Sequence, residues 1–167
     1  EADAVSVIDI ELARAERLVG GVEVATGDVW RPLAEARVRL GAGMKIRTLE
    51  DGRGAFMLAG GESLRLNSGT EVMLDGPGRI YFQRGTIYVD SGPRPAARRL
   101  EIVTPVGTAR DLGTQFELQV VDAALRLRVR EGSVSIDRGG QLHTGGAGDQ
   151  ITIDLLGGVS RDQIEPN

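Results

Sequence analysis

Apolar residues in this chain fall in short alternating runs, and each run is closed by glycine-rich turn residues. Val22 and Val24 flank Glu23 just after Gly20-Gly21, Leu64 and Leu66 flank Arg65, Val72 and Leu74 follow Gly69-Thr70, and Ile87 and Val89 follow Gly85. A period of two puts alternate side chains on one face of a strand, so these runs predict half-buried strands. The segment Asp75-Gly76-Pro77-Gly78 is among the strongest turn signals. Residues 1–14 carry Val5, Val7, Ile8, Ile10 and Leu12 among charged neighbours, a pattern that fits either a strand or a short helix, and they are set apart as an N-terminal extension. Residues 15–156 read as one β domain. Residues 157–167 thin into a polar tail or linker leading toward a further domain. The Pro- and Arg-rich residues 90–99 read as an exposed loop.

The run has an internal echo. Gly69-Thr70-Glu71-Val72-Met73-Leu74 parallels Gly113-Thr114-Gln115-Phe116-Glu117-Leu118, and Arg84-Gly85-Thr86-Ile87-Tyr88-Val89-Asp90 parallels Glu131-Gly132-Ser133-Val134-Ser135-Ile136-Asp137. Two copies, residues 66–90 and 110–137, therefore share the order strand, turn, strand, glycine, strand. Repetition of strands alone predicts an all-β fold of short stacked β-hairpins, solenoid-like, with a β-sandwich as the alternative. Residues 104–116 read as a corner between two strands, broken by Pro105 and Gly107.

The second copy fixes its own register. Phe116, Leu118 and Val120 share one face, and Leu125, Leu127 and Val129 share one face of the next strand. An even-numbered loop near Asp122-Ala123 pairs Leu118 with Leu127 and sets Glu117 against Arg128 and Gln119 against Arg126 on the other face. Arg126, Arg128 and Arg130 then form a basic stripe pointing away from the core.

Composition narrows the classes. The chain has 167 residues, 41% hydrophobic and 26% charged, which suits a globular domain with a real core. Aromatics are 4%, so Val, Ile, Leu and Ala must build that core, with the lone Trp30 read as a core plug rather than a ligand platform. A net charge of -4 argues against nucleic-acid binding by counterion release. There is no cysteine, hence no disulfide and no thiolate chemistry, which fits either cytoplasm or periplasm. No apolar run is long enough to span a membrane. The chain starts at Glu1 without methionine, which implies an upstream segment that would hold any membrane anchor.

Catalytic chemistry finds little support. His143 is the sole histidine and sits in a Gly-rich region without a nucleophile elbow, so it reads as a surface histidine. Asp3, Asp9, Asp51, Asp75, Asp111 and Asp154 lack calcium-loop spacing. Gly145-Gly146-Ala147-Gly148 and Gly41-Ala42-Gly43 lack the following helix that a phosphate loop needs, and read as turns. Asp111 and Glu131 as a glycosidic carboxylate pair are outweighed by the reading as solvated charges. No catalytic, cofactor or metal residue is assigned, and no small-molecule ligand is expected. Arg94, Arg98, Arg99, Arg126, Arg128 and Arg130 are the candidates for binding a protein partner. Outward tyrosines at 81 and 88 on one sheet would instead favour a carbohydrate-binding envelope protein, and open strand edges a structural assembly domain.

Several motifs in order carry a family resemblance. Arg84-Gly85 with Ile87 and Val89, then Ile102-Val103-Thr104-Pro105-Val106-Gly107-Thr108-Ala109, Leu112-Gly113-Thr114-Gln115-Phe116, Val129-Arg130-Glu131-Gly132-Ser133-Val134 and Gly148-Asp149-Gln150 together resemble the FecR family, over about residues 46–153. The resemblance implies the periplasmic domain of a single-pass inner-membrane regulator. In that family the cytoplasmic part binds an extracytoplasmic-function sigma factor, and the periplasmic part receives a signal from a TonB-dependent outer-membrane receptor, often on siderophore uptake. It also marks Gly85, Thr104, Gly107, Leu112, Gly113, Thr114, Phe116 and Gly132 as structural positions. The resulting expectation is a non-enzymatic signalling module.

Overall fold

The structure, a computed structural model, describes residues 10–92 and 99–164. All its regular elements there are strands, as the alternating pattern requires. The first nine are β1 Ala13–Val19, β2 Val22–Thr26, β3 Val29–Pro32, β4 Arg39–Leu40, β5 Met44–Thr48, β6 Arg53–Leu58, β7 Ser63–Leu66, β8 Glu71–Gly76 and β9 Arg79–Asp90. The rest are β10 Glu101–Val103, β11 Thr108–Asp111, β12 Gln115–Val121, β13 Ala124–Glu131, β14 Ser133–Arg138, β15 Gln141–Gly146, β16 Asp149–Asp154 and β17 Val159–Gln163.

Pairing sorts them into two layers. Sheet I runs β4-β1-β6-β7-β9-β12-β13-β16-β17. Sheet II runs β3-β2-β5-β8-β9-β10-β11-β14-β15. Strand β9 belongs to both, pairing with β8 and β10 through its first half and with β7 and β12 through its second. Hairpins thus stack along one axis while facing each other across a single core. The all-β expectation is borne out: every regular element among the described residues is a strand.

The core follows the arithmetic of alternation. Leu64 and Leu66 of β7, Ile80 and Phe82 of β9, Leu118 of β12, Leu125 and Leu127 of β13, Ile136 of β14 and Ile151 and Ile153 of β16 are almost wholly buried. They belong to one apolar cluster drawn from both sheets. Interleaved residues point outward, so the inner strands each contribute to a core face and a solvent face, while the edge strands β3 and β17 bury no residue in the core. At one end Arg161 of β17 donates to the Thr144 carbonyl of β15 at 3.0 Å and lies 3.6 Å from Asp149, which ties the last strands of the two layers together.

Passing from one layer to the other demands a backbone that ordinary residues resist. Gly85, in the middle of β9, has φ of 100°, and a Cβ there would strike Thr70. Gly132, between β13 and β14, has φ of 77°, and a Cβ there would run into the Gly113 carbonyl and sit 2.7 Å from the Thr114 methyl. Only glycine combines that conformation with so close an approach. Buried hydroxyls hold the same crossings. Thr70 Oγ1 accepts from the Thr86 amide at 3.0 Å, and Thr48 Oγ1 accepts from the Thr70 amide at 3.0 Å. In the second copy Ser91 Oγ accepts from the Thr114 amide at 2.6 Å, and the Thr114 hydroxyl donates to Asp111. The two sequence copies are therefore equivalent crossings travelled in opposite directions: the first leads from sheet II to sheet I, the second from sheet I to sheet II.

Three expectations change in detail. Residues 104–116 hold an extra strand, β11, whose only apolar core position, Ala109, is too brief a signal to read by periodicity. Thr104 closes the β10–β11 hairpin, its Oγ1 accepting from the Val106 and Gly107 amides at 3.2 and 3.1 Å. Trp30 is not a core plug: it lies opposite Ala25 on the outer side of edge strand β3, with the Arg47 guanidinium stacked 4.0 Å above its ring. Residues Val159–Gln163, within the polar tail, pair with β16 as β17. The register of the second copy is as expected, with Leu118 opposite Leu127, Glu117 opposite Arg128 and Gln119 opposite Arg126. Asp122 and Ala123 take φ of 50° and 61° in its two-residue turn, the geometry that matches strand twist.

Gly132→Ala is expected to destabilise the domain by at least ~2 kcal/mol, from left-handed strain plus the clash with Gly113, and Phe116→Ala by ~3–5 kcal/mol for an emptied core site. Chemical denaturation of both variants checks this; unchanged midpoints would contradict the assigned crossing and core.

Candidate functional site

The outer faces of the two sheets differ in how their charges are satisfied. On sheet II the arginines meet carboxylates. Arg47 lies 2.7 Å from Glu23, Arg79 3.4 Å from Asp75, Arg84 3.9 Å from Glu71, and Arg110 3.4 Å from Asp137 and 3.9 Å from Glu101. Pairs this exposed contribute little stability each, yet they leave that face close to neutral.

Sheet I is different. Cross-strand pairing places Arg17, Ala55, Arg65, Tyr88, Glu117, Arg128, Gln150 and Asp162 in one row running across eight strands. The adjoining row holds Thr86, Gln119, Arg126, Thr152 and Ser160, with no acid among them. Arg53 of β6 stands on the same face, two residues from Ala55. Among the described residues Arg17, Arg53, Arg65 and Arg128 have no carboxylate within ion-pair distance. Arg128 instead donates to the Gln150 side chain at 2.7 Å. Arg126 reaches Glu117 at 3.5 Å, while its Nε is buried without a hydrogen-bond partner among the described residues. Tyr88, 42% exposed, stands at the centre of the row, and burial together with the Glu117 carboxylate pushes its hydroxyl pKa up.

Of the expected partner-binding arginines, Arg126 and Arg128 thus share a face. Arg130 is exposed at the bulge where β13 meets the start of β12. Arg99 is exposed just before β10, in the other sheet, and Arg94 and Arg98 lie outside the described residues. Arg17, Arg53, Arg65 and Tyr88 join the face only through pairings between strands distant in sequence, which local periodicity does not reveal. Tyr81 and Tyr88 do not share a face, because β9 changes sheets between them. Tyr81 borders a shallow groove of ≈ 330 Å³ on sheet II with Lys45, Met73 and Gln83.

The positions marked as structural divide by role. Gly85, Gly132 and Thr114 form the crossings, and Thr104 the hairpin turn. Gly107 packs where a Cβ would lie 2.8 Å from the Asp137 carbonyl, and Phe116 is buried. Gly113 has φ of 95° with open space around it, and Leu112 is 41% exposed. Asp111 is engaged by the Gly113 amide at 2.8 Å and by Thr114, as a turn-closing carboxylate. His143 lies on β15, half-buried opposite Ile136. Among the described residues no three His, Asp or Glu side chains gather as a metal site would require, and no helix is long and apolar enough to cross a membrane.

This architecture has relatives of known structure. Two crystal structures of a candidate anti-sigma factor from Parabacteroides distasonis ATCC 8503 align with a TM-score of 0.63 at 16% identity, over 72% of this chain and 60% of theirs. At that identity the likeness establishes the fold, and the chain spans three-fifths of those proteins' length. No curated protein matches the sequence. The sequence profile of the FecR protein family matches residues 44–135, which take in both crossings and more than half of the chain. The chain belongs to the FecR family.

One buried acid gives a pH signature. Glu62, in the turn between β6 and β7, has its carboxyl pKa raised by burial and further by the charge of Asp111. A carboxyl raised on folding stabilises the protein at low pH, and that contribution is lost as pH climbs from the ordinary glutamate value through the raised one. Glu62→Gln is therefore expected to raise the melting temperature relative to wild type at pH 8, with the gain shrinking toward the ordinary glutamate pKa of ~4.3. A difference independent of pH would contradict this assignment.

Proposed function

We propose that this chain is the periplasmic signalling domain of a FecR-type regulator of an extracytoplasmic-function sigma factor. It works by protein-protein contact, not by catalysis. The observation that carries the reading is the FecR match over residues 44–135, which coincides with the pair of layer crossings on which the stack is built. The fold shared with the Parabacteroides candidate anti-sigma factor supports it.

The mechanism follows from mechanical continuity. The layers share one core and one strand, β9, so a partner seated on either face meets a body that moves as a unit. In this reading the signalling domain of a TonB-dependent outer-membrane receptor docks on the stack. A change in docking is passed through the stiff scaffold toward an inner-membrane segment and the sigma factor beyond it, and siderophore uptake is the fitting stimulus. Carbohydrate binding finds less support, because Tyr81 and Tyr88 face opposite sides and cannot form one stacking platform.

Calorimetric titration of the domain with the periplasmic signalling domain of its cognate TonB-dependent receptor is expected to show saturable one-to-one binding. Absence of heat there, with clear binding of cell-envelope oligosaccharides, would overturn the proposal.

A further inference from the structure

The asymmetry between the two outer faces identifies a docking surface and the chemistry of what it takes. We infer that the outer face of sheet I, centred on Arg65, Tyr88, Arg126 and Arg128, binds an extended acidic segment of a partner protein. The inference rests on the reading of the domain as a protein-docking module and specifies where and what it docks.

Charge is the first argument. The chain as a whole carries -4, yet the two adjoining rows of this face present Arg17, Arg53, Arg65, Arg126 and Arg128 against Glu117 and the edge residue Asp162. Arginines of the opposite face are matched to carboxylates, whereas four of these five have no carboxylate within reach among the described residues. The fifth, Arg126, pairs with Glu117 at 3.5 Å, and its Nε is buried without a hydrogen-bond partner among the described residues. Unmatched guanidinium groups clustered on one face complement an acidic ligand, with bidentate geometry on offer.

Spacing is the second. Strands in a sheet lie about 4.8 Å apart, so Arg17 to Arg65 spans roughly 10 Å and Arg65 to Arg128 roughly 14 Å. An extended peptide laid along the row advances about 6.6 Å per two residues, so carboxylates four residues apart, about 13 Å, match the step from Arg65 to Arg128, and the flexible Arg17 side chain makes up the remainder of its roughly 10 Å step. Tyr88, exposed between Arg65 and Glu117, offers a flat aromatic for the segment to lie on. Asp90 in the next row, with Asp154 at the end of β16 and Asp162 on edge strand β17, fences the patch. A narrow segment avoids that fence, whereas a broad anionic surface such as a membrane would meet it.

The test uses a short fluorescein-labelled peptide of alternating Glu and Thr, read by anisotropy, with Arg65→Gln/Arg128→Gln as the variant and Arg79→Gln/Arg110→Gln on sheet II as the control. The wild type and the control are expected to bind alike, with affinity falling as salt rises, and the sheet I variant roughly tenfold more weakly with a flatter salt dependence. Unchanged melting temperatures keep the comparison clean, and Arg65→Gln alone, which removes no ion pair, serves if the double variant melts early. Equal binding by both variants would overturn the inference, as would tighter binding to phosphatidylglycerol vesicles or heparin with the same dependence on Arg65 and Arg128. The receptor signalling domain separates the two proposals. If it binds wild type and sheet I variant equally, this surface is wrong while the receptor reading stands; if it fails to bind while the acidic peptide binds, the reverse holds.

Discussion

A two-layer stack threaded by one chain depends on the places where the backbone leaves one layer for the other. At Gly85 and Gly132 the chain turns through a left-handed conformation against a neighbouring threonine, so close that a methyl group does not fit. The crossing also strips water from polar backbone, and buried Thr48 and Thr70, together with Ser91, supply hydroxyl acceptors to backbone amides where a sheet ladder is interrupted. Without that match of glycine to threonine, β9 could not serve both sheets, and the core would divide into two thin layers with too little area buried in each.

From this constraint the rest follows. Each crossing inverts which side of the next strand meets the core, so the same alternating code, apolar inside and polar outside, builds both sheets. The outward rows become continuous across strands far apart in sequence. Side chains from β1, β7, β13 and β16 thus stand in one line on sheet I, and a surface arises that no single segment encodes.

What could be read from the sequence, and what could not, divides along the same line. The β12–β13 hairpin was legible to the residue, because a two-residue turn and an alternating pattern fix register locally. The repeat was legible too, since Gly-Thr and the later glycine recur in order. Layer assignment was not: β8–β9 and β12–β13 look alike in sequence yet their hairpins lie in opposite sheets, a matter of long-range pairing. Trp30 misled because a large aromatic usually buries most by entering the core, whereas here the edge position of β3 sets it under Arg47 on the outside. The arginine stripe was half legible, with Arg126 and Arg128 placed by local register and Arg17, Arg53 and Arg65 supplied by neighbours across the sheet.

The central claim is that a signalling partner docks on sheet I of a rigid FecR stack. Each face carries its own reporters, Tyr88 and Met57 on sheet I, Tyr81 and Met73 on sheet II, all reactive side chains. Hydroxyl-radical footprinting of the domain, free and bound to the receptor signalling domain, tests the claim most directly. The account predicts protection of Tyr88 with Tyr81 and Met73 unchanged; protection of Tyr81 and Met73 alone would contradict it.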